Sequence, residues 1–172
     1  MTNSARRTRA TGALTPGPGL TSLPGQQPVT SRPSSRLRGL RGPAICGAVV
    51  GALQAISPLG FWWLEPKTVY ALGLALIAAV YIGFSVADGR PKVIAAESIV
   101  AGLFVVIAAV SVSGSAWVLV AGLAGHGLKD LWQHRTQFVR NTRWWPPFCV
   151  AVDWVAAAIL TTALVTGISF HG

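Results

Sequence analysis

Between Val93 and Leu128 the chain runs almost unbroken through apolar and small residues. A run of about 36 residues would make a helix about 54 Å long at 1.5 Å per residue. A hydrocarbon core is only about 30 Å thick, so one crossing cannot absorb it. The sequence Ser111-Val112-Ser113-Gly114-Ser115 offers the break. It divides the run into two segments of membrane length, about 93–112 and 116–134. Three further apolar blocks, about 44–64, 68–87 and 147–170, have the same length. Glu65-Pro66-Lys67 and Asp88-Gly89-Arg90-Pro91-Lys92 punctuate them with turn residues. The expectation is an all-α integral membrane bundle of about five transmembrane helices.

Composition supports this. Only 11% of the 172 residues are charged and 52% are hydrophobic, against about a quarter charged in soluble domains. The blocks lack the two-residue alternation of a membrane barrel strand. A net charge of +9 would suggest nucleic acid in a soluble protein, but no nucleic-acid motif accompanies it, and none is expected as a partner. The basic residues fall instead in the N-terminal segment and between apolar blocks. With the N-terminus inside, Arg6, Arg7, Arg9, Arg32, Arg36, Arg38, Arg41, Arg90, Lys92, Lys129, Arg135, Arg140 and Arg143 lie on the cytoplasmic side and only Lys67 outside. That asymmetry follows the positive-inside rule. It places the N-terminus in the cytoplasm and the C-terminus outside, in a bacterial cytoplasmic membrane. Residues 1–42, rich in Ser, Thr, Pro, Gly and Arg, read as a disordered basic tail, and 43–172 as the helical membrane domain. Cys46 and Cys149 fall near cytoplasmic helix ends, where a structural disulfide is not expected. Gly47 and Gly51 form a small-xxx-small pair suited to close helix contact.

Ionisable residues inside spans are costly, and they mark sites. Glu97 lies about 6 Å into the third span, Asp130 about 6 Å into the fourth and Asp153 about 9 Å into the fifth, all from the cytoplasmic side. His126, Asp130 and His134 repeat every four residues, within an arc of about 80° on one helix. Glu97, Asp130 and Asp153 are expected to converge between the last three spans as candidate acid/base groups. Three carboxylates repel one another and need protons, cations or a metal. His126, Asp130 and His134 form a candidate metal set, and imidazole with carboxylate suits Zn, Fe or Mn. The competing reading is structural: interfacial pairing of the aspartates with Lys129, Arg135 or Arg143, and histidines bonded to nearby carbonyls. No phosphate loop, dinucleotide fingerprint or Gly-x-Ser-x-Gly elbow occurs, and no other cofactor is implied.

The loop after the fourth span sets Arg135, Arg140 and Arg143 beside Trp144 and Trp145. Cations with interfacial aromatics suit lipid headgroups. The series Gly125-His126, Asp130, His134, Trp144-Trp145-Pro146-Pro147-Phe148-Cys149 and Asp153 resembles a pattern in small bacterial polytopic membrane proteins. There a His…Asp…His span precedes an aromatic-Pro-Phe-Cys entry into an Asp-bearing last helix. The resemblance covers about residues 121–160, implies a small helical bundle and carries no activity. Two functions stay open: a binding or accessory membrane protein, in which homo-oligomers are allowed, and a small enzyme acting on a lipid or isoprenoid by carboxylic-acid or metal-assisted catalysis. A transporter is a weaker third, since no internal repeat is evident.

Overall fold

The computed structural model describes residues 33–140 and 143–167, with side chains from residue 39 onward. Residues 1–32 of the tail expected over 1–42, and the end of the last span, 168–170, lie outside the described residues. Five long helices form, and among the described residues there is no strand. They are α1 (Pro33–Ile56), α2 (Pro66–Asp88), α3 (Pro91–Ser113), α4 (Ala116–Thr136) and α5 (Trp145–Val165). α1 begins inside the segment read as tail. Pro33 at its start has no N–H to lose, and the Leu and Arg residues that follow are good helix formers. At its other end α1 stops at Ile56, and a 3₁₀ turn, Ser57–Leu59, carries the chain out.

The punctuation works through local chemistry. Glu65 is extended and Pro66 opens α2. Gly89 closes it in the left-handed region (φ +78°), its N–H donating to the carbonyls of Ser85 and Val86. Pro91 opens α3 at once. The long apolar run breaks at Gly114, which is extended, and Ser115 Oγ accepts from the Trp117 N–H at 3.3 Å to cap α4. A serine cap satisfies one of the orphan N–H groups of a new helix.

Four stretches are long and apolar enough to cross a membrane: Gly39–Leu59, α2, α3 and α5. α4 is helical over the expected residues but is not among the four. Its second half is His126-Gly127-Leu128-Lys129-Asp130-Leu131-Trp132-Gln133-His134-Arg135, too polar for a lipid-exposed helix. His126, Asp130 and Gln133 are buried where α4 packs against α2, α3 and α5, while Leu128 and Trp132 face outward. α1 lies against α5, and α2 pairs with α3.

The distribution of polarity is inverted relative to a soluble protein. Trp62, Ile99 and Leu76 are 82%, 73% and 69% exposed, while Asp130 and Asp153 are fully buried and Glu97, His126 and Gln133 nearly so. Exposed apolar faces on this scale mark surfaces that meet a membrane or a partner. The helices support a membrane protein.

The apolar core is built from Leu74 and Ala78 of α2, Phe104 and Ala108 of α3, Leu119 and Leu123 of α4, and Ala156 and Leu160 of α5. Tyr70 Oη donates to the Ala55 carbonyl at 2.6 Å, tying α2 to the end of α1. Gly47 and Gly51 meet α5. A Cβ at Gly47 would collide with the Phe148 carbonyl, and one at Gly51 would stand 2.5 Å from the Val152 carbonyl.

Candidate functional site

Where the bundle is most polar inside, α4 packs against α5. Gly127 makes this approach possible: a Cβ there would overlap the Trp154 indole and press on Asp153. One residue before that glycine, His126 projects inward. Its Nδ1 stands 2.8 Å from Asp153 Oδ2 and 3.5 Å from Asp130 Oδ2. One ligand atom from each residue falls within 4.8 Å of the others, and all three residues are buried. The imidazole is walled by aromatic edges, Phe104 at 4.8 Å and Tyr81 at 6.2 Å between ring centroids.

The group is underpaired. Both carboxylate oxygens of Asp130, Asp153 Oδ1 and His126 Nε2 are buried without a hydrogen-bond partner, as is the neighbouring Tyr81 hydroxyl. That hydroxyl lies beside Asp130 but outside hydrogen-bond geometry. Buried polar atoms are nearly always bonded, and an orphaned set implies something further in the site.

Glu97 does not join this group. It forms its own, fully balanced cluster one layer away. Lys129 Nζ donates to Glu97 Oε2 at 2.7 Å and Gln133 Nε2 to Oε1 at 2.5 Å. Gln133 Oε1 in turn accepts from the Val139 N–H at 3.2 Å. Lys129, counted above with the loop cations, is therefore folded into the bundle. Its ammonium also lies 3.3 Å from the centre of the Tyr81 ring, a cation–π contact. Two of the three expected carboxylates converge, and the third has a counter-ion on the neighbouring helix.

His134 also stands apart from the buried group. At 100° per residue, eight residues turn a side chain by about 80°. That rotation carries the face of α4 from the bundle interior at His126 to the side facing α1 and α5. There His134 lines two cavities with Leu40 of α1. The headgroup candidates also separate. Arg135, Arg143 and Trp144 line one of these cavities. The backbone N–H of Arg140 donates to Asp88 at 2.8 Å, and Trp145 packs on Phe84 of α2. Asp88 and Arg90 form a two-pronged ion pair at the α2–α3 turn, and Arg90 also donates to the Phe138 carbonyl. The pair raises the basicity of Arg90, chiefly through its hydrogen bonds to Asp88.

Sequence reasoning missed Tyr81, Lys129 and Gln133 as parts of the polar interior. The available signal was spacing: Lys129 and Gln133 repeat at i, i+4, a second polar stripe beside that of His126 and Asp130. No protein-family model matches the chain, and no curated protein or solved structure matches it.

Proposed function

We propose that this chain is a five-span protein of the bacterial cytoplasmic membrane, its N-terminus inside, that binds a divalent metal ion at His126, Asp130 and Asp153. One observation carries the reading: two buried carboxylates converge on one imidazole nitrogen, with no cation of their own and four orphaned donor or acceptor atoms. Leaving buried charge unpaired is costly, and the one nearby ammonium, Lys129, is engaged by Glu97. A divalent ion balances two carboxylates. One nitrogen and two oxygens suit Zn, Mn or Fe. Around a tetrahedral ion with bonds of about 2.1 Å the ligand atoms stand about 3.4 Å apart. The His126–Asp130 separation of 3.5 Å already fits. The His126–Asp153 pair, at 2.8 Å, is a hydrogen bond that opens by about half an ångström to admit the ion.

The fifth span is α4, its polar half shielded by its neighbours, which lets a helix of modest hydropathy cross. An enzyme acting on a lipid or isoprenoid is the competing reading. It requires substrate at these carboxylates, and full burial of the three residues favours binding over turnover. The resemblance noted for residues 121–160 places His126, Asp130 and Asp153 in one pattern, consistent with a common site.

The test is elemental mass spectrometry of the detergent-purified chain after exposure to Zn²⁺, Mn²⁺ or Fe²⁺ and removal of excess. The expected result is about one ion per chain, lost in Asp130→Asn and Asp153→Asn and kept in Glu97→Gln. A folded, metal-free wild type, or an ion retained in both aspartate variants, overturns the reading.

A further inference from the structure

On the side of α4 and α5 facing α1, two cavities join end to end. The first, about 640 Å³, opens at the α4 C-terminus, where Arg135, Arg143, His134 and Trp144 line it. The second, about 490 Å³, is an apolar groove between α1, α4 and α5, walled by Leu131, Val150, Trp154, Val155 and Ala158. Leu40 and His134 belong to both linings, so the basic mouth leads into the apolar groove. Each volume lies in the range of small-molecule sites, about 300–1,000 Å³. His134 Nδ1, at the junction, is buried without a hydrogen-bond partner.

We propose that this composite cavity is a binding site for one anionic phospholipid, its phosphate between Arg135 and Arg143 and one acyl chain along the groove. The mouth is cationic and the groove, beyond His134 at the junction, is lined by apolar side chains, the two halves of a charged amphiphile. Guanidinium groups bind phosphate oxygens in a two-pronged fashion. Trp144, half-exposed beside them, is the side chain that prefers headgroup depth. Length agrees as well. From Pro147 to Ala158 the groove follows twelve residues of α5, about 16 Å of helix rise. That is close to half of a 30 Å hydrocarbon core, the reach of one leaflet's chain. A soluble peptide or a free anion would use one half of the site and leave the other unfilled. The inference rests on the membrane reading and is independent of the metal site, none of whose three residues lines either cavity.

Native mass spectrometry of the full chain in detergent tests it, with phosphatidylglycerol, phosphatidylcholine of the same chains, and inorganic phosphate as probes. The expected result is one phosphatidylglycerol bound at least about tenfold more tightly than phosphatidylcholine, which carries the same phosphate but whose choline cation the two guanidinium groups repel. Arg135→Gln/Arg143→Gln should remove that preference, and Ala158→Trp should weaken phosphatidylglycerol while leaving the arginines in place. Helical circular dichroism identifies variants that fold, and bound metal, read separately on the same samples, reports on the metal site alone, so failure here is separable from failure of that site. Equal binding of the two lipids, or a preference that survives loss of both arginines, overturns the proposal. So does displacement of the lipid by inorganic phosphate at similar concentration. A lipid-free dimer that Ala158→Trp dissociates would assign the groove to a second copy, with the same consequence.

Discussion

Two polar groups sit inside this bundle, and their difference lies in single side chains. Glu97 has an ammonium and an amide donating to it, so its charge is balanced. Asp130 has neither. Removing Glu97 therefore leaves Lys129 partly buried and without its carboxylate, whereas removing both partners leaves nothing to neutralise. Glu97→Ala should destabilise the protein by about 3 kcal/mol. Glu97→Gln, which keeps an acceptor for the ammonium, should cost less, and Glu97→Ala/Lys129→Met should recover much of the loss. Reversible unfolding in mixed micelles measures all three. Additive losses in the double variant would mean that the pair does not act as a unit. His134 shows the other side of residue-level geometry: eight positions from His126, it has rotated out of the interior and into the α1 groove.

At the scale of elements, glycine decides where helices touch. Gly51 lets the backbones of α1 and α5 meet, with the Val152 Cα 3.0 Å from where its Cβ would be. Gly51→Val must push the helices apart, an overpacking cost of about 1–3 kcal/mol. Gly102, on the exposed face of α3, has nothing within 4 Å of the same position. Gly102→Ala should be neutral or stabilising by up to about 1 kcal/mol, because alanine is the better helix former. Thermal unfolding of the two variants side by side checks the contrast; equal effects would show that contact with α5 is not what Gly51 serves. α4 is the element whose character depends most on its neighbours. It is the one helix of the five without an apolar stretch long enough to cross a membrane, and its polar half is tolerable because His126, Asp130 and Gln133 are buried against its neighbours.

Taken whole, the described residues expose many large apolar side chains and bury Glu97, Asp130 and Asp153, and the turns are where orientation can be read. In a cysteine-free background, cysteines placed at Glu65 and at Arg140 should label oppositely with a membrane-impermeant maleimide. Position 65 should react in intact cells and position 140 only after permeabilisation. The reverse pattern would invert the orientation proposed from the basic residues, and labelling of both in intact cells would mean that an even number of crossings separates them.

Helix number, the break near Gly114 and the turns at 65–67 and 88–92 were legible in the chain alone. They depend on apolar run length and on residues that act locally: proline without an N–H, glycine at positive φ, serine at a helix start. The pairing of Asp153 with His126 was only half legible. Spacing places His126 and Asp130 on one face of one helix, but nothing local says which carboxylate of another helix meets them. Tertiary packing decided that, through Gly127, which brings α5 close enough for Asp153 to reach the imidazole. It likewise sent Glu97 to Lys129 and turned His134 outward, because helix rotation and neighbour choice arise from contacts between segments far apart in sequence. Periodicity within one segment carries no record of them.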